Sequence, residues 1–407
     1  QAKKSRLKER IREMAEKLIR VAAERALRRA PVMDPPEGMW DAFSARFPYL
    51  ETDDQLSAIG DVVDDLTSGS PMDRLVCGDV GFGKTEVAMR AAFVAAMSGA
   101  QVAIVAPTTL LARQHYKSFA ERFRGFPIEV RQLSRFVSKK DADATRDGMS
   151  LNFAKDLTKD AGHKALSYFK SINDLIIHQK NIQDFVSNAD LEVEKYIRSC
   201  ISKKFPNDAI VGEEHDNLDG SSGYTWVIDP IDGTTNFLTE IPSWCVVLAC
   251  VHEDETKLGV IYEPCHDELF WGSLNNGAFL NDTPINVSKS DSLSIGSTGV
   301  GMNSRTASDM TVSFIKELIE RGGIFYRNAS GALMLSYVAS GRLIGYAEPH
   351  MNAWDCLAGQ LLIKEAGGVI ETQSAEDMLL NGGRVIASGP GIFDELLKIA
   401  NETYIPS

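Results

Sequence analysis

Residues 224–236 constrain this chain more than any other stretch. Residues 224–228 form an aromatic and β-branched run, and Asp229-Pro-Ile-Asp232-Gly-Thr-Thr follows where that run ends. The composition predicts a strand. Two carboxylates three residues apart, across a proline-stiffened turn, can point the same way and share one cation. Gly233 and Thr234 then present free N–H groups at a helix start, an anion site beside the cation. A hard cation such as Mg²⁺ takes octahedral oxygen ligands, one or two carboxylates per ion beside water and substrate phosphate. Other acids must therefore arrive from distant segments. Glu213, in Val211-Gly-Glu-Glu214, and Asp355, in Ala353-Trp-Asp-Cys356, are the candidates. Each alone reads equally well as a surface acid or a helix cap; their joint occurrence favours a metal site.

At 407 residues the chain is too long for one ordinary core, and two or three domains are expected. The net charge of −13 is unevenly spread. Residues 1–148 carry 24 Lys+Arg against 21 Asp+Glu, a balance of +3, which leaves 19 against 35, or −16, for the remainder. Such a step predicts two modules with different partners, the first tolerant of polyanions and the second rich in carboxylates. The six cysteines (Cys77, Cys200, Cys245, Cys250, Cys265, Cys356) contain no CxxC pair, which argues against a zinc site or a disulfide framework and for reduced thiols. No apolar run approaches a membrane span and the N-terminus is charged, so a cytoplasmic protein is expected.

Residues 3–30 carry Leu7, Ile11, Met14, Leu18, Val21 and Ala22 at helical spacing, and Pro31 ends the run. That pattern reads as an amphipathic helix packed on a neighbour, with nucleic-acid contact by its basic face as the other reading. From residue 47 the chain alternates short apolar strands (74–77 and 101–105) with a helix from Lys84, the rhythm of a parallel sheet. A new rhythm begins at Met149, with helices over 152–169 and 189–204 and then mixed strands and helices.

Gly78-Asp-Val-Gly81-Phe-Gly83-Lys84-Thr85 matches GxxxxGK[ST], between an apolar segment and a helix. The loop N–H groups would cradle phosphates, Lys84 would reach the β- and γ-phosphates, and Thr85 would ligate Mg²⁺. Phe47-Pro-Tyr-Leu-Glu-Thr-Asp-Asp-Gln55, Ala106-Pro-Thr-Thr-Leu-Leu-Ala-Arg-Gln-His-Tyr116 and Leu133-Ser-Arg-Phe-Val137 accompany it. Residues 1–148 thus resemble the translocase part of bacterial transcription-repair coupling factors, which implies a partial P-loop RecA-like lobe over 47–148, an adenine-sensing Gln55 and ATP as a possible ligand. A motor also needs a Walker-B acid and a second lobe, and neither follows. The resemblance stops near Gly148, so the first module is expected to be a truncated piece joined in frame to a protein that began at Met149. Lys84 retains a phosphate contact in this reading, while DNA translocation and contact with DNA or RNA polymerase are expected to be absent.

Ile210-Val-Gly-Glu-Glu214, then Trp226-Val-Ile-Asp-Pro-Ile-Asp-Gly-Thr-Thr-Asn-Phe237, then Trp354-Asp355 followed by Lys364-Glu-Ala-Gly-Gly368 resemble the successive signatures of the inositol monophosphatase family. The resemblance covers 149–407 and implies an α/β fold, an αβαβα sandwich. It further implies a Mg²⁺-dependent phosphomonoesterase with two or three ions and sensitivity to Li⁺. Glu213, Asp229 and the Ile231 carbonyl would hold a first metal, and Asp229, Asp232 and Asp355 a second, with a looser third on Glu213. Asp190 and Thr234 would orient the attacking water, although Asp190 also reads as a helix cap. Gly233, Thr234, Ser330, Glu348 and Asn352 would meet the substrate, a small sugar or polyol phosphate with inositol monophosphate favoured. Fructose 1,6-bisphosphate, histidinol phosphate and 3′-phosphoadenosine nucleotides are the alternatives, and a homodimer through this module is expected. The competing reading is an ATP-dependent DNA translocase.

Overall fold

The computed structural model describes residues 25, 27–79, 83–134, 137, 139–172, 175, 177–181, 184–302 and 306–404, so the helix expected over 3–30 falls almost wholly outside the described residues, as does Gly81. The chain divides into two compact units, Gln1–Thr145 and Arg146–Ser407.

The first unit holds α1 (Met39–Ser44), α2 (Asp53–Thr67), α3 (Lys84–Met97) and α4 (Thr109–Arg122). Thr52 and Gln55 close a reciprocal capping box on α2. An aromatic core joins α1, α3 and α4, with Phe43 and Phe93 stacked at 4.1 Å and Phe119 and Phe123 beside them, and α2 packs on α3 through Ile59, Val62 and Val87. Buried Glu86 receives Arg90 at 2.8 Å and Arg122 at 2.6 Å. The expected parallel sheet is not formed: among the described residues of this unit there is no strand, at 74–77, at 101–105 or elsewhere. A strand exists only through its ladder, and these two segments have no paired neighbour. Most of their apolar side chains stay in water, Leu75 at 86% exposure and Val105 at 94%, while Val76 packs against Ile59, Val62 and Val87.

The second rhythm starts earlier than expected. Helix α5 runs over Lys139–Phe169, through Gly148 and Met149, because a single helical glycine costs only about 1 kcal/mol against alanine. There follow the hairpin β1 (Ile177–Asn181) and β2 (Asp184–Ser187), α6 (Asn188–Lys204), β3 (Ala209–Gly212), β4 (Tyr224–Asp232), α7 (Thr234–Leu238), β5 (Cys245–His252), β6 (Glu255–Glu263), β7 (Glu268–Ser273), β8 (Ala278–Leu280) and β9 (Thr283–Pro284). Then come β10 (Ser297–Val300), α8 (Ser308–Glu320), β11 (Ile324–Tyr326), α9 (Gly331–Ala339), β12 (Gly345–Met351), α10 (Ala353–Glu365), β13 (Val369–Ile370), α11 (Ala375–Asn381), β14 (Gly383–Ser388) and α12 (Phe393–Thr403).

Strands β3 to β9 form a seven-stranded sheet in sequence order, antiparallel except for the parallel pair β3–β4. A five-stranded sheet runs β11-β10-β12-β14-β13. One face of the larger sheet, with Trp226, Ile228, Val246 and Leu248, packs on α5 and α6 through Ala161, Ala165, Val193 and Ile197. Its other face, with Val227, Val247 and Ile261, packs on α9 and α10, which also meet Tyr346 and Val385 of the smaller sheet. The far side of that smaller sheet takes α8 and α12 through Phe314, Leu318, Leu396 and Ile399. The result is the expected five-layer αβαβα sandwich, with the two sheets and the α9–α10 layer buried on both faces and the outer helices on one. Gly259 of β6 lets α10 approach, since a Cβ there would lie 2.8 Å from Ala358 Cα.

Candidate metal centre and active site

Strand β4 lies between β3 and β5, and its alternating side chains set the geometry of the site. Val227 faces the α9–α10 layer, and Asp229 shares that face by the period of two. Strict alternation would send Asp232 to the opposite side. The pairing instead slips between Asp229↔Val247 and Asp232↔Cys245, which puts one extra residue into β4. This bulge falls on Pro230 and Ile231, where proline has no N–H to take out of the ladder. Ile231 joins the core on the α5–α6 side. The bulge thereby gathers Asp229, Asp232 and, from the first turn of α10, Asp355, with one carboxylate oxygen from each lying within 4.8 Å of the others.

Each carboxylate is held by its own donors. Asp229 Oδ1 accepts the Ile231 N–H at 3.0 Å. Asp232 accepts the Ser330 hydroxyl at 2.5 Å and the N–H groups of Ala332 and Gly331 at 2.8 and 3.3 Å, the positive start of α9. Asp355 accepts the backbone N–H and the side-chain amide of Asn352, both at 3.1 Å, and so closes the capping box of α10.

Burial raises all three acids, and repulsion adds to it at Asp229 and Asp355. The Asp229 carboxyl is pushed well above its ordinary range by burial first and then by Glu213, Asp232 and Asp355. Burial raises Asp232 against the pull of its hydrogen bonds from Ser330, Ala332 and Gly331. Burial and the Asp232 charge bring Asp355 to about 7. Clustered buried carboxylates of this kind are relieved by a cation, and an all-oxygen set suits a hard divalent ion.

Glu213 follows β3 directly. Its N–H donates to Ile228 O at 3.3 Å, which sets it level with the end of β4. Asp190 is buried in the first turn of α6, where a helix cap and a contact to Thr234 coexist in one geometry. Its Oδ2 accepts the Ser187 N–H and hydroxyl, at 2.7 and 2.6 Å, as a cap. Its Oδ1 faces the Thr234 hydroxyl at 3.5 Å, and that hydroxyl also donates to Ile231 O at 3.1 Å. Gly233 adopts a left-handed φ of +95° ahead of the short helix α7, a conformation that a side chain would strain.

A cavity of about 140 Å³ opens beside Asp232 and Asp355, and Arg327, Tyr346 and Glu348 also line it. Glu348, on β12, accepts the Tyr346 hydroxyl. Ser330 differs from its expected substrate contact: it is fully buried and its hydroxyl is committed to Asp232. The Asn352 amide is likewise committed to Asp355. Sequence reasoning missed Tyr346, which the period of two places on the face of Glu348. It also missed Arg327, which precedes the left-handed Ala329 (φ +60°) and carries no sequence signal.

In the first unit Gly83 takes a left-handed φ of +67° ahead of α3, whose first turn carries Thr85. The Lys84 amine folds back onto the carbonyls of Gly78 and Asp79. Gln55 packs against Gly83, where a Cβ would lie 2.3 Å from its Nε2.

Comparison with known proteins finds relatives of both parts. The model of the inositol monophosphatase family matches residues 149–404, and that of the DEAD/DEAH box helicases matches 52–158. The Nus factor SuhB of Haemophilus influenzae is 35% identical over 251 residues, 61% of this chain and 94% of that protein. The transcription-repair-coupling factor of Rickettsia prowazekii is 50% identical over 147 residues, 35% of this chain but only 13% of that protein. The crystal structure of the extragenic suppressor protein suhB from Bartonella henselae superposes with a TM-score of 0.59 at 30% identity, covering 62% of this chain and 99% of that one.

Proposed function

Because the chain belongs to the inositol monophosphatase family, we propose that residues 149–407 form a Mg²⁺-dependent phosphatase acting on a small sugar or polyol monophosphate, inositol monophosphate foremost. One observation carries the proposal: Asp229, Asp232 and Asp355 converge within 4.8 Å beside a cavity that also presents Glu348.

Asp229, Asp232 and Asp355, with Glu213 and the Ile231 carbonyl, would hold the cations. Bound Mg²⁺ would supply Lewis-acid polarisation of water and phosphoryl oxygens, the chemistry of a two-metal phosphatase. Thr234 Oγ1 and Asp190 form the proton path: Thr234 accepts a proton from the attacking water as its own passes to Asp190 Oδ1. The Ser187 donors hold Asp190 oriented for that task. Glu348 accepts hydroxyl protons of the substrate ring, which suits any polyol. Ser330 and Asn352 act one step back, by aiming Asp232 and Asp355. A homodimer through this unit and a cytoplasmic location belong to the same reading.

Phosphate release from five or six candidate monoesters with Mg²⁺, set beside the Asp229→Asn variant, tests it. Equal rates for variant and parent would sink the assignment. For the first unit we propose no translocase activity, since it spans 13% of the curated coupling factor it matches and its two expected strands are unpaired. Steady DNA-stimulated ATP hydrolysis by the whole chain would overturn that part.

A further inference from the structure

Glu213 stands one residue past the end of β3. Where its carboxylate can reach depends on the backbone around it. Two side chains of α6 grip that backbone. Glu194, fully buried, accepts the Glu214 N–H at 2.7 Å through Oε2 and the Arg198 Nε–H at 2.6 Å through Oε1. Arg198 gives its two remaining nitrogens to the carbonyls of Asp216 and His215, each at 3.0 Å. Three hydrogen bonds from the pair thus reach the three residues that follow Glu213. The residue before it closes against the same pair: a Cβ on Gly212 would lie 2.2 Å from Glu194 Oε1 and 2.9 Å from Arg198 Nη2. Asp190, Glu194 and Arg198 are four residues apart in turn and share one helix face. That face meets the Thr234 hydroxyl at one end and the Glu213 loop at the other.

We propose that the Glu194–Arg198 pair is the positioning device for Glu213, setting the site's affinity for a divalent cation while touching neither cation nor substrate. The proposal rests on the metal-site reading above. Arg198 is suited to the role because its planar fork meets Glu194 and two carbonyls at once, which a lysine ammonium cannot reproduce. Outer residues that orient metal ligands typically govern about 10–100-fold in metal affinity.

The test is a Mg²⁺ titration of the metal-free full chain, read as the rise in thermal midpoint, on the parent, Arg198→Lys, Glu213→Gln, the double variant and Asp229→Asn. Arg198→Lys should keep the parent's circular dichroism and raise the Mg²⁺ concentration for half-maximal stabilisation about tenfold. In the Glu213→Gln background the same change should add less than about twofold, because the ligand it positions is already gone. An unchanged Mg²⁺ response in Arg198→Lys, or a full tenfold loss in both backgrounds, would overturn the proposal. If Asp229→Asn leaves the Mg²⁺ response intact, the metal site itself is wrong and the positioning role falls with it. If Arg198→Lys melts below the titration range, Glu194→Gln carries the same cycle, since its amide oxygen still accepts the Glu214 N–H while its NH2 replaces the acceptor of the Arg198 Nε–H and so breaks the pair.

Discussion

Stripping divalent cations should make the second unit lose stability as pH rises from about 4 to about 7, the reverse of an ordinary salt-bridged acid. Below the ordinary carboxyl value of 3.8, Asp355 is protonated folded and unfolded, and contributes nothing. Above it the unfolded chain releases the proton, while the folded site keeps it up to about 7. The folded state then binds more protons than the unfolded one, so unfolding becomes easier with each step in pH until the folded group also ionises. The interval is about 3 units, and at 1.36 kcal/mol per unit Asp355 alone costs about 4 kcal/mol near neutrality. Asp229 and Asp232 are raised in the same direction and steepen the fall. Against a typical domain stability of roughly 5–15 kcal/mol the effect is large. Urea unfolding between pH 4 and 8, in EDTA and in Mg²⁺, measures it. Tryptophan fluorescence reports on this unit, which holds Trp226, Trp244, Trp271 and Trp354 of the five tryptophans. Mg²⁺ should abolish or reverse the slope, because the cation supplies the charge that protons supplied without it. A flat profile in EDTA would refute the argument from burial and repulsion, and with it the reason these acids need a cation.

Three further outcomes follow from particular contacts. Ser330→Ala removes a hydrogen bond to a buried carboxylate, worth about 1.5–3 kcal/mol, and should raise the Mg²⁺ requirement of phosphate release with little change in substrate KM. A rise in KM alone would instead restore Ser330 to the substrate. Gly259→Ala drives a methyl to 2.8 Å from Ala358 Cα and O, and should lower the urea-measured stability by about 1–3 kcal/mol through the displaced α10. Lys84→Ala should leave the rate of phosphate release at the parent value, since the metal site and its cavity are built from residues of the second unit.

Much of the site was legible because its residues sit in local patterns. The aromatic and β-branched run ending at Asp229 is strand β4, the Trp-Asp pair opens α10, and the Ala-Asp pair at 189–190 opens α6. Asp190 was readable both as a cap and as a functional acid, and the fold uses its two oxygens for the two contacts. What stayed illegible depends on partners distant in sequence. Ser330 carries a hydroxyl suited to a substrate, but burial against Asp232, 98 residues away, assigns it to the carboxylate. Glu194 and Arg198 carried no sequence signal of their own, and only the loop of 212–216 folding onto this i,i+4 pair shows what they hold.

The sequence by itself determined the chemistry: which acids are present, that proline and glycine punctuate the strand end, and that a second rhythm takes over near Met149. Tertiary structure decided how those acids meet. Asp229 and Asp232 share a face because β4, held between β3 and β5, absorbs one extra residue at Pro230, an event that exists only in the pairing of strands. The same dependence works in reverse at 74–77 and 101–105, where strand-like residues form no strand. A strand is a relation between chain segments, and propensity alone does not supply the neighbour.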